Sequence, residues 1–261
     1  MSGARGSTPP AEPAEAAHAP HRPLPAYFAD ENARPGWVRG IFDRTAGDYE
    51  RVERALALGS GPWYRRQALL RAGLAPGMRV VDVGTGTGLV AREAVRILGD
   101  PRAVTGVDPS PGMLAHARLP AGVRLLEGSA ERIPLPDAAA DFLSMGYALR
   151  HVSDLELAFA EFRRVLRPGG VVCILEITRP ESRIGRALLR AYLRGVVPGL
   201  ARVLSRSADM PQLMRYFWDT IEACVPPRAV LDTLRAAGFV AAARHVELAI
   251  FSEYRAVAPA R

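Results

Sequence analysis

The stretch from Arg79 to Ala91 constrains the chain more than any other. In it an apolar run, RVVDVG, breaks into GTGTG and resumes as LVAREAVRIL. Val80, Val81 and Val83 form a short β-branched block, which predicts a buried strand of a parallel sheet. Gly84, Gly86 and Gly88 supply the turn that follows. A glycine-rich turn between a strand and a helix lets backbone approach a ligand at the helix start.

Spacing narrows the choice of ligand. A dinucleotide fingerprint is GxGxxG, and a phosphate-binding P-loop adds Lys followed by Ser or Thr. This loop reads GxGxG and continues as Leu89-Val90. A second apolar run, AVTGVD, ends in Asp108 roughly two dozen residues after Gly84, where an acid can accept the two hydroxyls of a ribose. The competing role for Asp108 is a helix N-cap before Pro109-Ser110-Pro111. Together the loop and Asp108 resemble motif I and the following acid of the class I S-adenosylmethionine-dependent methyltransferases.

The rest of the chain alternates as a doubly wound sheet requires. Strands are predicted at Val123 to Glu127, around Asp141 to Met145, in VVCILEITRP, and at Val240 to Glu247 and Ala249 to Val257. A helix from Leu155 to Leu166 carries apolar residues at spacings of three and four and stops at a turn, Arg167-Pro168-Gly169-Gly170. The expected fold is α/β and Rossmann-like: a seven-stranded, mostly parallel sheet with an antiparallel terminal strand and helical cap segments.

One domain is expected from 261 residues. Residues 1–26, rich in Pro, Ala, Gly and Ser, read as a disordered tail. The domain spans 27–261, with a helical cap at 27–75 and a helical insertion at 181–227. In the insertion Arg183, Arg186, Arg190 and Arg194 share one helix face, which suits an anionic membrane or plain solvent. The formal charge of +7 is spread arginine, without the aromatic-interleaved basic block of a nucleic-acid module, so no nucleic-acid partner is expected. Cys173 and Cys224 lack metal-ligand spacing, and the five histidines are scattered, so no metal is expected. With no bilayer-spanning run and no signal-peptide core, the expected place is the cytoplasm, with peripheral contact at the inner membrane face. A homodimer is left open.

Two further strings are similar to the UbiE/MenG/Coq5 family of quinone C-methyltransferases. Phe42-Asp43, Ala46 and Tyr49 match its FDxxAxxY segment, with Glu50 and Glu53 where the family has Asp and Asn. GYALRHVSD resembles its GLRNVTD, with Arg150 on the family's arginine and His151 on its asparagine. The resemblance implies S-adenosylmethionine as cofactor, held by Gly84, Thr85, Gly86, Thr87, Gly88, Asp108, Pro109, Met113, Ser129, Ala130 and Gly146. Ser129 stands where the family has Asn or Asp, and Gly146 where relatives often have Ser. It also implies a lipophilic quinol substrate, with Arg150, His151 and Tyr49 as the catalytic set. Arg150 would stabilise a phenolate, and His151 or Tyr49 would hold the oxygen or move its proton. Read from the residues alone, Arg150 pairs with an acid such as Asp154, His151 faces water at a helix entry, and Tyr49 is core. Other activities left open are a small-molecule O- or N-methyltransferase and a non-catalytic cofactor-binding protein.

Overall fold

The computed structural model describes residues 19–30, 32–57 and 59–260. Two helices come first, α1 (Arg34–Leu56) and α2 (Gly61–Ala72). The alternating part follows as β1 (Val80–Val83), α3 (Leu89–Leu98), β2 (Val104–Asp108), α4 (Pro111–Ala115), β3 (Arg124–Glu127) and β4 (Ala140–Gly146). It continues with α5 (Leu155–Val165) and β5 (Leu166–Ile177). The insertion holds α6 (Arg183–Ala191), α7 (Val197–Leu204) and α8 (Met210–Ala223). The chain ends with α9 (Pro227–Ala236), β6 (Val240–Glu247) and β7 (Phe251–Val257).

The seven strands lie in the order β3-β2-β1-β4-β5-β7-β6. β1 pairs in parallel with β2 and β4, so the glycine loop leaves the centre of the sheet at its carboxyl edge. β7 alone runs antiparallel, inserted between β5 and β6. The terminal hairpin is therefore the one expected, and its last strand lies inside the sheet, with β6 at the edge.

All four residues of β1 are buried, as a strand covered by helices on both faces requires. One face packs on α5 and α9 through Phe159, Phe162, Val230 and Leu234. The other packs on α2 and α3 through Leu69, Val90, Ala91 and Ala94. A third cluster joins α1 to the insertion through Val38, Ile41, Val52, Val197, Leu213 and Tyr216. Thus the two helices of the expected 27–75 cap part company: α2 is a layer on the sheet, and α1 roofs it together with the insertion.

Two local expectations are corrected. Arg167-Pro168-Gly169-Gly170 stops the helix, but it opens β5 instead of forming a free turn, because Gly169 N donates to Ala258 O and Ala258 N to Gly170 O, both at 2.8 Å. Order also begins before Tyr27. His21 bridges Cys224, Val225 N donates to Pro20 O at 2.8 Å, and the His21 side chain is buried. Most of the tail, residues 1–18, lies outside the described residues.

Candidate active site

The glycine loop is built by backbone pairing at the carboxyl ends of β1 and β2. Gly84 N and Thr85 N both donate to Val107 O, at 2.8 and 3.1 Å. Gly84, Gly86 and Gly88 all take positive φ, 66°, 54° and 89°, conformations that a side chain disfavours. Asp82 fixes the loop from below, accepting Thr85 Oγ1 at 2.7 Å and Ser144 Oγ at 2.6 Å. Gly86 N then donates to Asp108 Oδ2 at 2.7 Å.

Asp108 is buried at the tip of β2, and its Oδ1 also accepts Ser110 N at 2.9 Å. Burial pushes its carboxyl up to about 6, against the two amide hydrogen bonds that lower it. Burial does the same to Asp82, also to about 6. The N-cap of α4 is Ser110, whose Oγ accepts Met113 N at 3.0 Å. Capping is therefore not the task of Asp108. Asp43, of the FDxxAxxY segment, accepts Ser110 Oγ at 2.6 Å and Gly112 N at 2.8 Å and so ties α1 to this corner.

A single cavity of about 460 Å³ gathers nearly every residue singled out from the sequence. Gly84, Thr85, Gly86, Thr87, Asp108, Pro109, Met113, Ser129, Ala130 and Gly146 line it, and so do Tyr49, Arg150 and His151. Gly88 is not in its wall: it begins α3 and lies against Leu119. Much of the remaining wall is apolar, from Leu189, Leu193 and Val197 of the insertion, Met214 and Phe217 of α8, and Ile250 and Phe251 of the terminal hairpin.

Arg150 follows β4 in a short 3-10 turn, Leu149–His151. Its guanidinium is sealed from solvent against Glu176 of β5, and it does not pair with Asp154. Asp154 caps α5 instead, accepting Glu156 N and Leu157 N. Arg150 Nη1 also donates to Tyr147 O at 3.1 Å, and the guanidinium carbon stands 4.9 Å from the Phe217 ring centre. Its Nε is buried without a hydrogen-bond partner.

His151 does not face water. Its ring lies 5.3 Å from Phe42, 5.3 Å from Tyr216 and 5.8 Å from Phe217, centre to centre. Nδ1 is 3.2 Å from Tyr216 Oη, and Nε2 is buried with no partner. Burial holds its pKa well below 6.5, assisted by the charges of Arg150 and Arg34 and by the neighbouring imidazole of His21. A second buried imidazole, His21, sits behind this corner and is held at about 4 by burial and Arg34. Arg34 Nη2 lies 2.9 Å from His21 Nε2 and donates to Arg150 O at 3.1 Å. Tyr49 is half-buried in the cavity wall, 6.2 Å from Phe42 and 6.5 Å from Phe217, and burial pushes its hydroxyl up to about 12.

Three features of the site escape a reading of the sequence. Glu176 is the lone acid in the apolar run VVCILEI, and that isolation was the available signal. Glu53 and the buried Arg65 form an ion pair in the cavity wall, joining α1 to α2. Tyr147 takes φ 59° where β4 ends, with its N donating to Leu175 O at 2.7 Å. A left-handed tyrosine costs about 1–2 kcal/mol, a strain that accompanies functional sites.

The cradle fits S-adenosylmethionine. It offers positive-φ glycines free of side chains, a buried carboxylate for hydroxyl donors, and Thr87, whose Oγ1 is buried without a partner. The model of the ubiE/COQ5 methyltransferase family matches residues 29–250. The chain is 35% identical over 224 residues to the ubiquinone/menaquinone biosynthesis C-methyltransferase UbiE of Syntrophotalea carbinolica, covering 83% of this chain and 90% of that one. It is 32% identical over 248 residues to the demethylmenaquinone methyltransferase of a Parafrankia species, covering 87% and 95%. Among solved structures, an S-adenosylmethionine-dependent methyltransferase of Thermotoga maritima, a possible histamine N-methyltransferase, superposes with a TM-score of 0.59 at 24% identity. It covers 84% of this chain and 98% of that one. At that identity the likeness concerns the fold. The family match, the two relatives and the fitted cradle together place the chain in the ubiE/COQ5 methyltransferase family, as an S-adenosylmethionine-dependent methyltransferase.

Proposed function

We propose that the enzyme methylates a ring carbon of a prenylated quinol, demethylmenaquinol or the ubiquinone precursor. The observation that carries this reading is the composition of the cavity: one end is the glycine cradle, and much of the remaining wall is apolar, as a prenylated ring requires. The names of the Syntrophotalea and Parafrankia relatives support it.

The cofactor supplies the methyl group as an electrophile. The chain's task is to hold the acceptor in line and make its ring electron-rich. Gly84 to Thr87, Pro109, Met113, Ser129, Ala130 and the Gly146 backbone hold the cofactor, and Asp108 takes its ribose hydroxyls. Arg150, fixed by Glu176, stabilises the phenolate left when a ring hydroxyl gives up its proton. Tyr49 and the neutral imidazole of His151 position that oxygen. The ring carbon would take the methyl as the bound cofactor's sulfur–methyl bond breaks, leaving the cofactor a neutral thioether. The proton on that carbon would then pass to solvent, so that one methyl replaces one hydrogen and aromaticity returns. Aromatic walls from Phe42 and Phe217 keep water from the reacting face.

A prenylated acceptor lives in a bilayer, so this reading sets the enzyme at the inner membrane face. Among the described residues no helix is long and apolar enough to cross a membrane. The test is turnover of reduced demethylmenaquinol with methyl-labelled cofactor, followed by mapping of the label. Label on the ring carbon is expected. Label on oxygen or nitrogen, or no transfer to any quinol, would overturn the proposal.

A further inference from the structure

The segment from α6 to α7 meets both the cavity and the solvent. Leu189, Tyr192, Leu193 and Val197 line the cavity. The same segment also exposes large aliphatic residues that the fold leaves uncovered: Ile184 is 74% exposed, Leu188 66%, Val196 50%, Leu200 40% and Val203 83%. A purely solvated helix would carry polar residues at these positions, and contiguous exposed apolar surface marks an interaction site.

The positions recur mostly at intervals of four. In a regular α-helix such a series drifts about 40° per step around the axis. Here Tyr192–Val196 is a π-helical turn, whose wider winding takes back part of the drift. The stripe therefore continues from one helix into the next. Arg183, Arg186, Arg190, Arg194 and Arg202 are exposed along the same segment. None of these five forms an ion pair with a carboxylate among the described residues.

We propose that the α6–α7 face docks on an anionic phospholipid bilayer, with the aliphatic stripe in the acyl boundary and the arginines at the headgroups. Aliphatic side chains flanked by arginine on one helix are the composition of an interfacial helix. A second copy of this chain is the poorer occupant, because a two-fold contact would set this arginine-rich patch against itself. The position of the cavity mouth agrees. Trp63, Tyr192 and Leu248 both line the cavity and are exposed, and Tyr192 lies on the docking segment itself. A lipophilic acceptor could then pass from bilayer to cavity beside Tyr192. That last step rests on the quinol reading, whereas bilayer docking does not.

The test is flotation of the full chain with vesicles of phosphatidylcholine, with or without phosphatidylglycerol, in the absence of acceptor. Binding is expected only with phosphatidylglycerol, and it should weaken as salt is raised. Arg186→Glu/Arg190→Glu should lower partitioning by at least fivefold for each arginine lost, since one basic residue near such a surface contributes about fivefold. Ile184→Ser/Leu188→Ser should lower it at every salt concentration. Neither residue lines the cavity, so unchanged affinity of this variant for S-adenosylmethionine, by calorimetry, reports an intact fold. Equal binding to both vesicle types, no binding to either, or a dimer in solution that dissociates in Ile184→Ser/Leu188→Ser would overturn the proposal. Failure of quinol turnover with vesicle binding retained would count against the acceptor alone.

Discussion

Arg150 and Glu176 form an ion pair with side chains only 2% and 1% exposed, where the carboxyl ends of β4 and β5 meet under the cavity. Glu176 also accepts Arg150 N at 3.3 Å and Ile177 N at 2.8 Å, so the carboxylate is held from three sides. The arrangement fixes a cation in a wall whose other groups are largely aromatic and aliphatic. A charge on a reacting oxygen is stabilised far more strongly there than in water.

Removing one partner leaves an uncompensated buried charge, at about 3–5 kcal/mol. Glu176→Ala should therefore lower the melting temperature by on the order of 10 °C. Arg150→Met/Glu176→Leu should recover most of that stability, because an apolar pair of similar volume needs no desolvated charge. It should not recover turnover. Thermal unfolding beside a methyl-transfer assay checks both halves, and a double variant that regained activity would remove Arg150 from the chemistry.

Cofactor affinity should depend on pH through Asp108, whose carboxyl burial raises to about 6. The folded protein holds this proton more tightly than the unfolded chain does. Its contribution to stability is therefore full below the ordinary carboxylate range, near 4, and is lost as pH rises through 6. Binding has the opposite sign, because ribose hydroxyls donate to the ionised form. Calorimetric titration of S-adenosylmethionine should show affinity falling below pH 6, approaching tenfold per pH unit. Asp108→Asn should bind weakly with no such bend. A bend retained in Asp108→Asn would reassign the titration to Asp82, which burial also raises to about 6.

The sheet and the cradle were legible because their signals are local. Apolar runs, GTGTG and the terminal Asp108 each sit within a few residues of the structure they make. The partners of Arg150 were not, since Glu176 and Phe217 are brought to it by the sheet and the insertion, far along the chain. Asp154 is the near neighbour in sequence, but the first turn of α5 claims it. Arg167-Pro168-Gly169-Gly170 reads as a turn on composition, and only pairing with Ala258 draws it into β5. The arginine period of α6 was readable, whereas the exposure of Ile184 and Leu188 beside it is a property of the tertiary packing.

His151 should act as a neutral group across the working pH range. Burial and three neighbouring cationic or imidazole groups hold its pKa well below 6.5, so the wild-type pH–rate profile should show no limb near that value. His151→Asn, which keeps a polar side chain, should retain turnover within about fivefold, the value of one neutral hydrogen bond. His151→Leu should lose more at equal stability. A limb near 6.5 that vanished in His151→Asn would show that the imidazole ionises during turnover.

The packing of this chain leaves no room for a side chain at Gly146. A Cβ at Gly146 would come within 2.4 Å of Val90 Cγ2. Val90 is buried on α3, directly after the glycine loop, so making room for that atom costs either a disfavoured helical valine rotamer or a shift of the helix that ends the cradle. Gly146→Ser should cost about 1–3 kcal/mol by overpacking and should weaken cofactor binding at the same time. Val90→Ala opens the space the serine needs. If this one contact decides the residue, the double variant will be more stable than the two single costs predict, by about 0.5–3 kcal/mol of coupling in a thermodynamic cycle. Strict additivity would mean that Val90 does not exclude a side chain, and that the loop backbone itself requires glycine at the end of β4.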